Sequence, residues 1–102
     1  MPGTLDMLIL KTLTRGKFHG YAIVQMIQQV SGNEILIEEG SLYPALQRLE
    51  LSGWIDGEWG LTSNNRRGRI YKITAKGRKQ LIEERERYRQ LRLAIARVME
   101  ME

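Results

Sequence analysis

Between Glu58 and Glu83 the chain carries no carboxylate, yet it holds Arg66, Arg67, Arg69, Lys72, Lys76, Arg78 and Lys79. Cations concentrated in this way bind polyanions, because each can neutralise a phosphate and release its counterion. The 102-residue chain has 16 Lys+Arg against 12 Asp+Glu, a net charge of +4, so the clustering says more than the total. A second group, Ser41, Tyr43, Gln47 and Arg48, carries hydroxyl, amide and guanidinium groups that can hydrogen-bond base edges or phosphates. A Gln amide pairs two-pronged with adenine, an Arg guanidinium reaches guanine or phosphate, and hydroxyls bond phosphate oxygens.

Other chemistries are excluded by what is missing. The sequence has no cysteine and one histidine, His19, which removes disulfides, thiolate metal sites and a cysteine nucleophile, so neither a metal nor another cofactor is expected. His19 is expected to begin a helix. No nucleophile–base–acid set or phosphate-cradling glycine loop is visible, which makes an enzyme the least favoured class. The length fits one compact domain. No apolar run approaches the ~20 residues of a membrane span, and the start lacks a signal peptide's pattern, so a cytoplasmic protein without membrane contact is expected.

Both groups need elements to hold them. Leu5, Leu8, Ile9 and Leu13 recur at helical spacing, with Gly16 as the stop, and Met7 and Leu10 make the other flank apolar too. That flank predicts either deeper burial or packing by a partner subunit. Ile23, Met26, Ile27 and Val30 predict a second helix ended by Ser31-Gly32-Asn33, and Ile35 to Ile37 reads as a brief strand. Ser41 is expected to cap a third helix, with Pro44 in its first turn and Leu42, Ala45, Leu46 and Leu49 buried. Ser41, Tyr43, Pro44, Gln47, Arg48 and Leu51 then lie on or beside the outward face, and Gly53 ends the helix.

Trp54 to Trp59 and Arg69 to Ile73 read as two strands flanking a loop from Gly60 to Gly68 that contains Asn64-Asn65. This hairpin puts Asn65, Arg66 and Arg67 near its tip, and Trp54 and Trp59 are expected to pack it onto the body. Thr74 caps a final helix of roughly 40 Å at ~1.5 Å per residue. Along it Leu81, Tyr88 and Ile95 recur every seven residues, with Leu91 and Val98 three further on, a coiled-coil seam interrupted by Glu84. The fold class is mainly α with a small β wing. Residues 1–74 form a winged helix-turn-helix and residues 75–102 a C-terminal dimerisation helix.

Gly3-Thr4-Leu5-Asp6, His19-Gly20-Tyr21, Glu39 to Leu46, Arg48-Leu49-Glu50, Gly53-Trp54-Ile55, Asn65-Arg66-Arg67 and Tyr71 to Thr74 stand in an order and spacing that together resemble the PadR family of transcriptional regulators. The single final helix resembles that family's short subfamily. The resemblance implies a homodimer, usually a repressor, that binds an inverted-repeat operator in double-stranded DNA and is released by a small molecule or stress signal.

On that reading Ser41, Tyr43, Pro44, Gln47, Arg48, Asn65, Arg66, Arg67 and Arg69 contact DNA. Met7, Leu10, Leu81, Tyr88, Leu91, Ile95 and Val98 join the subunits, and Met7, Leu10, Tyr88 and Leu91 line an effector pocket. The competing reading is a protein–protein interaction module docking through Leu51, Met99 and Met101, since winged helices serve both uses.

Overall fold

The computed structural model describes residues 3–61 and 65–102. Asn64, expected in the wing loop, lies outside them. Helices α1 (Thr4–Leu13), α2 (Gly20–Val30) and α3 (Glu39–Leu51) precede a hairpin, and α4 (Ala75–Met99) closes the chain. The strands are β1 (Phe18–His19), β2 (Ile55–Leu61) and β3 (Arg67–Ile73), in the antiparallel order β1-β3-β2.

The core lies where α1 meets the other helices and β3. Ile9, Leu10 and Leu13 of α1, Ile23 of α2, Leu42, Leu46 and Leu49 of α3, Ile55 and Tyr71 of the hairpin and Leu81 of α4 are all buried there. Enclosure by so many elements explains why α1 is apolar around most of its circumference. Leu10 is 0% exposed and Leu81 6%, so both fill the protomer's own core and neither offers a surface to a partner or an effector. This corrects their expected place at a dimer contact, and that of Leu10 in a ligand pocket.

Three local expectations also change. Ile35 to Ile37 forms no strand; the third strand is Phe18–His19, paired Phe18↔Tyr71 and His19↔Ile70. A strand has two edges, and β3 already carries β2 on one and β1 on the other. Helix α3 starts before Ser41: Glu38 is the extended N-cap residue, and its carbonyl accepts from the N–H groups of Ser41 and Leu42, each at 3.0 Å. Pro44 therefore lies inside the helix, where no N–H is available for the Gly40 carbonyl. On α2, Val30 is 82% exposed, while Val24 packs against the core instead.

Two helix starts follow the sequence. His19 Nδ1 accepts from the Ala22 N–H at 3.3 Å at the head of α2. Thr74 Oγ1 accepts from the Gly77 N–H at 2.9 Å while donating to the Gly53 carbonyl at 2.7 Å, so one hydroxyl caps α4 and ties it to the end of α3. Gly77 lets α4 approach that corner: a Cβ there would lie 2.0 Å from the Trp54 carbonyl oxygen. Among the described residues no helix is long and apolar enough to cross a membrane, and no cluster of His, Cys, Asp and Glu could hold a metal ion.

Candidate nucleic-acid interface

Burial of Leu42, Ala45, Leu46 and Leu49 turns the opposite side of α3 to solvent. Ser41, Tyr43, Pro44, Gln47 and Arg48 are all exposed there. The buried stripe packs on α1 and α2, and Gly20 allows the close contact: a Cβ on it would sit 3.4 Å from both Leu42 and Leu46 and 3.8 Å from the Tyr43 ring. Tyr43 thus rests its ring edge beside the start of α2.

Arg48 is not free. Its Nη2 donates to Asp6 Oδ1 at 2.9 Å. Asp6 lies in the first turn of α1, where the helix dipole favours a carboxylate, and it is far less exposed than its partner. The pair holds one terminal nitrogen of the Arg48 guanidinium while the side chain stays largely exposed. Sequence reasoning missed Asp6 because the partners are 42 residues apart.

The hairpin register sets the direction of the wing. Gly57↔Tyr71, Trp59↔Arg69 and Leu61↔Arg67 are opposed, and side chains alternate along a strand. Ile55, Gly57, Trp59, Leu61, Arg67, Arg69, Tyr71 and Ile73 consequently share one face, the face whose Ile55 and Tyr71 enter the core. Arg67 is carried past the end of that core on the side of the sheet toward α3. Asn65 and Arg66 are exposed just before β3, Asn65 in the left-handed backbone region at φ 61°.

Arg69 behaves differently from its neighbours. Its Nη2 donates to Glu50 Oε2 at 2.8 Å and to the Gly57 carbonyl at 2.9 Å, so this side chain, expected among the DNA contacts, joins the wing to α3. Tyr71 lies beside this pair. Burial, reinforced by the negative charge of Glu50, pushes its phenol above the usual 10.0, with the Arg69 guanidinium pulling the other way. Lys72, on the opposite face, approaches Glu58 at 3.9 Å.

The tryptophans divide as well. Trp54 packs against the core as expected, whereas Trp59 is 61% exposed and does not fasten the wing to the body. Its ring carries the guanidinium carbons of Arg67 and Arg69 at 5.8 and 5.5 Å from its centroid. The cross-strand pairing of Trp59 with Arg69 becomes legible only once the hairpin register is known.

On α4 the first residue of the expected seam turns inward. Leu81 and Glu84 face the protomer's own body and are buried. Glu84 Oε1 accepts from Gln80 Nε2 at 2.8 Å and from Arg87 at 3.4 Å. Past Leu91 every residue is exposed, including Ile95 and Val98. Met7, Tyr88 and Leu91 come together with Gly3, Thr4, Glu84 and Arg87 around a cleft of about 210 Å³.

A family model described as the transcriptional regulator PadR-like family matches residues 9–83. An uncharacterized protein from Lysinibacillus sphaericus is 35% identical over 81 residues, 79% of this chain and 74% of that protein. Among solved structures, a transcriptional regulator from Clostridium thermocellum superposes with a TM-score of 0.85 at 30% identity, covering 93% of this chain and 92% of its own. A PadR family transcriptional regulator from Eggerthella lenta superposes at 0.79 with 32% identity, over 98% and 85% of the two chains.

Proposed function

The chain belongs to the PadR-like family of transcriptional regulators, and we propose that it works as a homodimer binding an inverted-repeat operator in double-stranded DNA. One observation carries the reading: the wing strand that bears Arg67 is tied through Arg69 to Glu50 of α3, the helix whose exposed residues include Gln47 and Arg48. On this reading α3 enters the major groove, where Gln47 and Arg48 meet base edges and Ser41, Tyr43 and Pro44 lie against the backbone. Asn65, Arg66 and Arg67 hold the flanking phosphates or minor groove. Arg69 serves the interface by fixing the wing.

Dimerisation is assigned to the free part of α4, with Tyr88, Leu91, Ile95 and Val98 as the seam and Met7 beside it. The apolar side chains beyond Leu91 cover nothing in their own protomer, which supports the reading. Two-fold symmetry would set the two copies of α3 about 34–36 Å apart, one turn of DNA. The regulator acts as a repressor, and an effector in the cleft beside Met7, Tyr88 and Leu91 would release it by favouring a dimer whose α3 spacing mismatches the operator.

Selection of bound sequences from a random DNA library tests this directly. An enriched palindrome with half-sites one turn apart is the expected result. Binding no tighter to any selected sequence than to random DNA at physiological salt would reject it in favour of a protein-docking module.

A further inference from the structure

We propose that Trp59 is a positioning residue for the wing, holding Arg67 against its ring so that the guanidinium is presented to the DNA phosphates beside α3. The inference rests on the DNA-binding reading and adds a residue that carries no charge.

The relay runs from α3 through Arg69 and Trp59 to Arg67. Glu50 of α3 fixes Arg69, and the carbonyl of Gly57 fixes the same Arg69 nitrogen. Arg69 lies 5.5 Å from the Trp59 centroid, and Arg67 lies 5.8 Å from it. Trp59 is thus bracketed by one anchored guanidinium and by one that has no ion-pair partner among the described residues. A ring quadrupole attracts both cations, and the anchored one makes the ring a fixed platform for the other.

Two features favour positioning over simple packing. Trp59 is 61% exposed, and the neighbouring Leu61 is 66% exposed, so the ring is not there to fill the core. An arginine free to sample all its rotamers would lose that freedom on meeting a phosphate, and a side chain held beforehand loses less. A tryptophan that instead inserted into DNA by itself would act independently of Arg67.

A double-mutant cycle on the full-length protein, read as affinity for the selected operator by fluorescence anisotropy, separates these cases. Trp59→Leu is expected to weaken binding about twofold to fivefold, the range of an exposed cation–π contact. Its salt slope should remain that of wild type, because no phosphate contact is removed. Arg67→Ala should lower the slope by ~0.9 and cost less affinity in the Trp59→Leu background than alone. Trp59→Phe should recover part of the loss, and the unfolding midpoint of all three should stay near wild type. Additive effects of the two substitutions, with wild-type binding intact, would overturn the positioning role alone. Wild-type binding that lacks salt dependence, or is absent, would overturn the DNA reading and this inference together.

Discussion

Arg69 Nη2 donates to Glu50 Oε2 at 2.8 Å across 19 residues of sequence, and this pair makes the wing and α3 one unit. The same nitrogen bonds the Gly57 carbonyl, so the guanidinium links three elements: β3, β2 and α3. Gly57 has to be side-chain-free for the crossing, since a Cβ would stand 2.6 Å from Arg69 Nη2 and 2.8 Å from Glu50 Oε1.

The pair predicts two kinds of wing arginine. Both partners are about one-third exposed, so solvent screening limits the pair to about 1 kcal/mol. Arg69→Ala should cost that much stability and leave the salt dependence of DNA binding unchanged, its charge being already balanced. Arg66→Ala and Arg67→Ala should spare stability and each lower the log–log salt slope by ~0.9. Urea denaturation and anisotropy titrations over a range of KCl would distinguish them; a lowered slope in Arg69→Ala would return that residue to the DNA contacts.

Gly77→Ala is expected to be the most damaging single methyl addition. The new Cβ would meet the Trp54 carbonyl at 2.0 Å and Ile73 Cγ1 at 2.9 Å, and backbone cannot swing aside as a side-chain tip can. A loss of about 3 kcal/mol is expected, at the upper end of ordinary overpacking. Thr74→Ala at the same corner should cost about 1 kcal/mol as a lost N-cap. Chemical denaturation of both would check the order, and equal losses would contradict the steric account.

Tyr71 makes stability fall at alkaline pH. Its phenol is held above 10.0 chiefly by burial, so the unfolded chain ionises first and draws the equilibrium toward itself. The contribution is full below pH 10.0 and is lost as pH rises through the raised value. Tyr71→Phe should therefore lose less stability than wild type between neutral pH and pH values above 10.0, in urea melts compared at each pH. Parallel curves for the two proteins would show that the burial has no such consequence.

Leu81 and Ile95 share a heptad position but should respond differently to the same charge. Leu81 is 6% exposed and Ile95 50%. Leu81→Asp buries an uncompensated carboxylate in the protomer's core and should lower its stability by several kcal/mol, on the order of 3. Ile95→Asp should leave a folded protomer that sediments as a monomer at micromolar concentration. A still-dimeric Ile95→Asp would move the seam elsewhere.

Features governed by neighbours a few residues apart were legible in the sequence. The caps at His19 and Thr74, the outward face of α3, the hairpin and the length of α4 all depend on backbone groups and side chains within about a turn or a strand. The sequence also located the acid-free cluster of cations. Tertiary structure decided how those cations are used, because a charge's partner can come from anywhere in the chain: Asp6 for Arg48, Glu50 for Arg69, and an aromatic ring for Arg67. It likewise moved the third strand to Phe18–His19, where β3 had an edge to offer, and drew Leu10 and Leu81 into the core. A helical period specifies which residues share a face, but only the packing of the other elements decides whether that face meets the protomer's own core or is left open.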